Sequence, residues 1–554
     1  MKDSQKSGRL TAITLENFRG IGKAVTIDLK PLTLLFGPNS AGKSTVLKAL
    51  RVMKTLMGHE PAAESIDRIL HKGDTNRKTR IRIEMKMDEF EFRTPETYAP
   101  STAELHIEDL ADIKKVWVEV ILEAAIISHQ AGDAPVFSPH TKVSEFAVGI
   151  NGTEAVRTKI SGLQDFIETG RPSSIWGVPV YPNYKHPLFI TLAEKLPEDL
   201  LAQTLWELRY LNDSASFSTM TTDDGMMLSF EGIVSNSIPA YAKYPHVSPI
   251  DEHDSNSDAF CANMEAVLMQ VLYGGRDLAT HVLKDIRQIG PLREIPAKEI
   301  NADSVMSTSW MNGSHAWKLL ADPAENESYE EDGKAPPSDT ALIDAVGSAL
   351  ETLKTGFSLH LLKTACVDIS SSDRFREQLE CAINKAESDD PEDIALSIEN
   401  LLSASPQKRN VLLRDTIQNI VFHPQDAAMG IVQLVPVIVA MLVDGTNVCS
   451  IEQPELHLHP AVQCELGSFL AECVSKENSR LALIETHSEH MLLRLQRLIR
   501  DKKLSSNDFS VVYFSRSAEG SLVFNLRLDE NGEFIDEWPG GFFEESFNEM
   551  FGGT

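Results

Sequence analysis

The segment Gly37-Pro-Asn-Ser-Ala-Gly-Lys-Ser-Thr45 has the spacing G-x-x-x-x-G-K-[ST], and the chemistry that spacing serves is phosphate binding. Glycines let the backbone curl so that successive N–H groups converge on phosphate oxygens. A helix beginning at the second glycine adds the positive end of its dipole. Asn39, Ser40, Ala41, Gly42 and Thr45 would form this cradle. Lys43 would pair with the β- and γ-phosphates of ATP, and the Ser44 hydroxyl would ligate Mg2+. Such a loop needs an acidic partner for the metal at the end of a nearby strand. Val448-Cys-Ser-Ile-Glu452 is an apolar run ending in a carboxylate, so Glu452 is the expected second metal ligand, directly or through water. Leu481-Ala-Leu-Ile-Glu-Thr-His487 is another apolar run, and it empties into an imidazole suited to hydrogen-bonding a γ-phosphate. A satisfied structural histidine is an equal reading of His487. The pairs His457-x-His459 and His487-x-x-His490 lack the cysteine or acidic companions of a zinc site, which disfavours that reading.

These groups need rigid elements to position them. Leu32-Thr-Leu-Leu-Phe36 is a buried-strand pattern, and Val46, Leu47, Leu50 and Met53 after the loop have helical spacing. Residues 79–86, 115–127 and 143–150 are expected strands of an antiparallel lobe. Residues 187–288 shift to a helical period interrupted at Pro197, and 342–362 is helical again. The acidic stretch 322–340, with Pro336-Pro337, marks an exposed linker, and 387–393 a short acidic turn. Strands are expected at 448–451 and 481–484, helices at 462–473 and 491–499, and closing β structure at 510–514 and 522–528.

The 554 residues exceed one compact core, and 42% hydrophobic content places the chain among folded globular proteins. A net charge of −29 opposes a broad, sequence-independent grip on nucleic acid, which depends on lysines and arginines displacing counterions. A local basic groove remains compatible with it. The six cysteines show no metal-ligand spacing and suit a reducing compartment. No apolar run reaches the ~18 residues of a membrane span, so a cytoplasmic protein without membrane partners is expected.

Asn17-Phe-Arg19, Ile451-Glu-Gln-Pro-Glu-Leu-His-Leu-His-Pro460 and Thr486-His-Ser-Glu-His490 together resemble the ABC-type ATPase heads of the overcoming-lysogenization-defect (OLD-like) and related AAA groups. Gly290-Pro-Leu-Arg293 and Gly430-Ile-Val-Gln433-Leu-Val-Pro436 fit the same pattern, and the stretch 528–543 is similar to a short C-terminal domain found on such bacterial ATPases. The match covers both ends of the chain, and residues 90–285 only loosely. The resemblance implies an α/β fold, an ABC-type P-loop head of mixed sheet plus antiparallel β lobe with a largely helical insertion. In these terms residues 1–186 form the N-terminal ATPase lobe, 187–420 the insertion, 421–514 the C-terminal ATPase lobe, and 515–554 the short terminal segment.

Such heads sandwich ATP between two copies, which implies a homodimer or higher oligomer with Gly430 and Gln433 reaching the partner's nucleotide. Val432 stands where relatives place serine, which weakens that contact. The residue after the metal carboxylate is normally a glutamate that polarises the attacking water, and here it is Gln453. An amide orients water but does not accept its proton. Either Glu455 substitutes or hydrolysis is slow. The segment 491–554 lacks the Glu and Asp-x-Asp cluster of the Toprim nuclease fused to some relatives. The resemblance is nearest to the Septu-type (PtuA) anti-phage ATPases, which act with a separate HNH nuclease and also occur beside retrons, with their reverse transcriptase and ncRNA-DNA. It therefore implies an ATP-dependent subunit that scaffolds or restrains an effector. A RecF/SMC-like DNA-repair clamp and a near-inert ATP-locked assembly subunit are the competing readings.

Overall fold

The computed structural model describes residues 8–57, 69–87, 112–131, 134–159, 180–183, 185–194, 255–284, 286–296, 309–321, 341–365, 376–377, 380, 407–445, 447–476 and 480–539. The chain divides into two compact units that are discontinuous in sequence. Unit 1 is Met1–Ile286, Lys476–His487 and Ile499–Thr554; unit 2 is Arg287–Ser475 and Ser488–Leu498.

Unit 1 opens with β1 (Gly8–Glu16), β2 (Val25–Asp28) and β3 (Leu32–Phe36), followed directly by helix α1 (Lys43–Leu56). It continues through β4 (Thr79–Met87), β5 (Lys115–Ala131), β6 (Ala134–Ile150), β7 (Thr153–Lys159) and β8 (Val180–Pro182). Strands β1, β2 and β4–β8 form one antiparallel sheet in the order β2-β1-β4-β5-β6-β7-β8. Its chemistry follows from period-two alternation. In β4, Ile81, Ile83 and Met85 are buried, while Arg80, Arg82 and Glu84 take the other face. Ion pairs cross the strands there: Lys115 to Glu84 at 2.7 Å, Arg82 to Glu119 at 3.3 Å, and Arg157 to Glu145 at 3.0 Å. Burial alone would lower the Arg157 pKa, but Glu154 and Glu119 outweigh it and hold the guanidinium raised. Helices α2 (Pro187–Glu194) and α3 (Ser255–Lys284) follow. Helix α3 packs against α1 and strands β1, β5, β6 and β7. It therefore packs within unit 1, beside the helix that follows the glycine loop.

Unit 2 contains β9 (Arg287–Ile289), α4 (Ser314–Ala321), α5 (Ala341–Thr352), β10 (Phe357–Ala365), β11 (Gln407–Asp415), β12 (Val421–Phe422), α6 (Met429–Leu442), β13 (Val448–Glu452) and α7 (Pro460–Lys476). The helix expected over 342–362 stops at Thr352, because Lys354 turns left-handed (φ 56°). The leucines beyond it enter β10, which pairs antiparallel with β11 from Phe357 opposite Asp415 to Ala365 opposite Gln407. Among its described residues the 187–420 region is mainly helical, with β9, β10 and β11 set among its helices. Helix α6 is buried from Gly430 to Met441 and contains Pro436, which removes one helical N–H donor from an otherwise apolar rod. Strand β13 pairs parallel with β9.

The chain returns to unit 1 with β14 (Leu481–Glu485), and after helix α8 (Glu489–Arg500) adds β15 (Phe509–Ser517) and β16 (Gly520–Leu526). Strand β3 is flanked by β14 and β15, both parallel to it, and β16 pairs antiparallel with β15. All five residues of β3 and all five of β14 are buried. A strand covered on both faces must be apolar throughout, which is why Leu32-Thr-Leu-Leu-Phe36 shows no alternation. Each fully buried Leu or Phe in this layer contributes roughly 1.5–3 kcal/mol. The single polar side chain in β3, Thr33, pairs with the Ser510 hydroxyl at 3.0 Å. A mixed α/β P-loop ATPase fold with an antiparallel β lobe results, as the sequence implies.

No described helix is long and apolar enough to cross a membrane. Pro197, residues 200–208, the 322–340 linker, the 387–393 turn, residues 540–543 and Cys261, Cys366 and Cys381 lie outside the described residues. Cys449, Cys464 and Cys473 are free thiols.

Candidate nucleotide site

The phosphate loop leaves β3 at Phe36 and enters α1 at Lys43. Ser40 (φ 62°) and Gly42 (φ 105°) are left-handed, and a turn closes between them through Ala41 N–H to the Pro38 carbonyl at 3.2 Å. Only glycine fits at Gly42: an added Cβ would lie 2.4 Å from the Ser521 Oγ of β16. Gly42 is also the N-cap of α1, and no side chain caps that end. Thr45 N–H donates to the Gly42 carbonyl at 3.0 Å, and the positive end of the helix dipole faces the loop. Pro38, Asn39 and Ser40 are exposed, Ala41 and Thr45 buried.

Lys43 is only 3% exposed. Its Nζ donates to the carbonyls of Gly37 and Pro38, each at 3.0 Å, and lies 3.8 Å from Glu485 Oε1. Ser44 donates its hydroxyl to the other oxygen, Glu485 Oε2, at 2.7 Å. Glu485 ends β14, opposite Leu35 of β3, and is itself buried. Next in the chain, Thr486 donates its N–H to the Leu35 carbonyl at 3.1 Å, which fixes the path of the turn beside the loop. Reading from the sequence alone did not assign Glu485 a role. Its signal was the same one that singled out Glu452, an apolar strand ending in a carboxylate.

His487 follows in the same turn and is half-buried. Burial, and then the positive charge of Lys43, lower its pKa from the usual histidine value. The imidazole is therefore held neutral at pH 7 and acquires a proton only at lower pH than a free histidine does. A polyanion bound at Lys43 would offset the repulsion, so the His487 pKa is expected to rise on nucleotide addition. NMR titration of His487 with and without ADP measures this, and a pKa unmoved by nucleotide would remove His487 from the phosphate environment.

A buried ammonium, an uncapped helix N-terminus and a hydroxyl already paired to a carboxylate form a donor set that fits a polyphosphate with its divalent cation. Lys43 and the loop N–H groups would hold the phosphates, and Ser44 the cation.

Within unit 2, β13 ends at Glu452, and the next residue, Gln453, is left-handed (φ 45°). Two turns follow, closed by Leu456 N–H to the Gln453 carbonyl (3.2 Å) and Leu458 N–H to the Glu455 carbonyl (3.0 Å). The buried Arg293 holds this region together. Its Nη2 donates to the Glu452 carbonyl at 2.7 Å, and its Nη1 to the Gln433 carbonyl at 3.2 Å. Burial pushes the Arg293 pKa down to about 10 against the opposing pull of Glu455 and Glu452.

The Gln433 amide pairs reciprocally with the Arg293 backbone, its Oε1 accepting at 2.9 Å and its Nε2 donating at 2.5 Å. It is 5% exposed. Its polar atoms are thus engaged inside their own chain. Gly430 is likewise buried, with its missing Cβ position 2.4 Å from the His457 carbonyl. Its smallness serves that close approach. His459 Nδ1 accepts from Ala461 N–H at the start of α7. Among the described residues no group of three or more metal-ligating side chains gathers.

Residues 9–141 match the AAA ATPase domain family (AAA_15), and residues 504–551 match a protein family of unknown function (DUF3696). No curated protein matches the sequence. Solved structures similar to this chain include an SMC head bound to the C-winged helix domain of ScpA, at 10% identity and TM-score 0.39, covering 94% of this chain and 98% of that one. Another is an SMC head with an extended coiled coil bound to the C-terminal domain of ScpA derived from Pyrococcus furiosus, at 10% identity and TM-score 0.36, covering 98% of each chain. A third is the SMC head domain from Thermotoga maritima, at 8% identity and TM-score 0.34, covering 94% and 100%. Residues 9–141 are thus similar to an AAA ATPase domain.

Proposed function

We propose that this protein is an ABC-type ATPase subunit that uses ATP as a conformational clasp, associating with a second copy of itself and controlling a separate effector nuclease of the HNH type in anti-phage defence. The observation that carries the nucleotide part is the Lys43–Glu485–Ser44 cluster at the uncapped start of α1. It places a buried cation and an oriented hydroxyl at a helix N-terminus that no side chain caps. When bound, Mg2+-ATP would supply the polyphosphate charge that these groups recognise. Lys43 and the loop backbone bind that charge, Ser44 holds the cation, and His487, held neutral, donates or accepts a hydrogen bond at the terminal phosphate.

Slow turnover fits the residue at Gln453, which orients water without removing its proton. Arg293 fixes the turn that carries Gln453 by holding the Glu452 carbonyl. The partner and defence assignments rest on the motif resemblance alone. Purification together with the products of neighbouring genes, with and without ATP, tests them by mass and nuclease activity. The expected result is ATP-dependent self-association and a retained nuclease whose activity responds to ATP. A chain that stays monomeric in ATP and retains no partner would sink the proposal.

A further inference from the structure

We propose that Glu485 is the residue that makes nucleotide binding depend on a divalent cation, both by orienting Ser44 and by placing a negative charge against the phosphates. The inference rests on residues 37–45 binding nucleotide. It adds a positioning role for a residue outside the loop and distinct from Glu452.

A serine hydroxyl has one proton to donate and two lone pairs to offer. Ser44 gives its proton to Glu485 Oε2 at 2.7 Å, the short distance of a charge-assisted bond. With the proton directed there, the lone pairs are left for a cation. A Ser44 without this acceptor would spend part of its time pointing the proton at the cation.

Charge gives the second half of the argument. Glu485 is 6% exposed, so water screens it poorly. In the free protein its other oxygen lies 3.8 Å from the buried Lys43 ammonium, which offsets its charge. The same ammonium is the group that phosphates would claim. Once Lys43 serves them, Glu485 faces a polyanion across the width of one side chain. Without a divalent cation that arrangement is repulsive, and with one it becomes attractive. The two halves point the same way: Glu485 penalises bare nucleotide and favours the metal complex.

The test titrates a fluorescent ATP analogue into the full chain in Mg2+ and, separately, in EDTA. Wild type is expected to bind more tightly in Mg2+. Glu485→Gln should cut that ratio about 10-fold or more, with the two arms moving in opposite directions: tighter in EDTA, weaker in Mg2+. Loss of a merely structural contact would weaken both arms together, and that result, or an unchanged ratio, overturns the proposal. Glu485→Asp keeps the charge but shortens the reach to Ser44, and carries the test should Glu485→Gln not fold. It should leave the EDTA affinity near that of wild type and reduce the gain from Mg2+; an undiminished gain overturns the orienting role. Mn2+ binding to the nucleotide complex, followed by paramagnetic resonance, gives an independent readout and should weaken in both variants. Failure of wild type to bind the analogue in either buffer would instead overturn the nucleotide reading of the loop, and the role of Glu485 with it.

Discussion

Lys43→Ala is expected to weaken ATP binding by about 100-fold, matching the ~3 kcal/mol at stake when one partner of a buried charge pair is removed. Three contacts set this expectation. The ammonium is buried at 3% exposure, held by two backbone carbonyls at 3.0 Å, and 3.8 Å from Glu485. No other lysine or arginine nitrogen is recorded against Glu485 among the described residues, so the variant leaves a buried carboxylate facing the incoming phosphates. The loss therefore combines a missing attraction with an exposed repulsion. Lys43→Met retains the apolar stem and most of the packing, and separates that contribution from the charge. Calorimetric titration of ATP into each variant, beside its unfolding curve without nucleotide, measures the effect. Wild-type affinity in both variants would show that the loop is not the nucleotide site.

Gln453→Glu is expected to raise ATP turnover by about 100-fold, the lower end of what a positioned general base contributes. Glutamine and glutamate have nearly the same shape, so the left-handed backbone at this residue (φ 45°) is no harder to form in the variant. The affinity for ATP should change little, because the added carboxylate acts on water. Glu455→Gln distinguishes the rival base. If Glu455 already removes the proton, that variant loses the basal rate and Gln453→Glu adds nothing. Steady-state phosphate release in the four combinations settles which carboxylate acts, with Lys43→Ala as the background control.

Local chemistry in the chain made half of this site readable and left the other half hidden. Leu32-Thr-Leu-Leu-Phe36, the glycine loop and the helix after it declare themselves because each depends on near neighbours: continuous burial, a left-handed glycine, a helical period. Glu485 carried the same local signature as Glu452, an acid closing an apolar strand. What separates them is that β14 pairs with β3 in a register setting Glu485 opposite Leu35. Pairing across more than 400 positions leaves no trace in either segment alone. The packing of Gln433 was hidden for a related reason, since its partner Arg293 lies 140 positions away. Strand β10 failed differently: its leucines continue the spacing of α5, and only pairing with β11 decides for extended structure. Tertiary contacts there override a local period.

The parallel neighbours of β3 also govern when the protein comes into being. Strand β3 is complete at Phe36, but β14 begins at Leu481 and β15 at Phe509. A ribosome that has translated the whole loop must therefore reach Leu481 before either flank begins. The hydrogen bond from Asp28 N–H to Asn525 Oδ1 spans 497 positions, so this part of unit 1 closes only after Asn525 has been made. A nascent chain stalled before residue 481 would display Lys43 and Ser44 in sequence while lacking the carboxylate that seats them. The glycine loop is therefore seated only after flanks far downstream in the chain have been made.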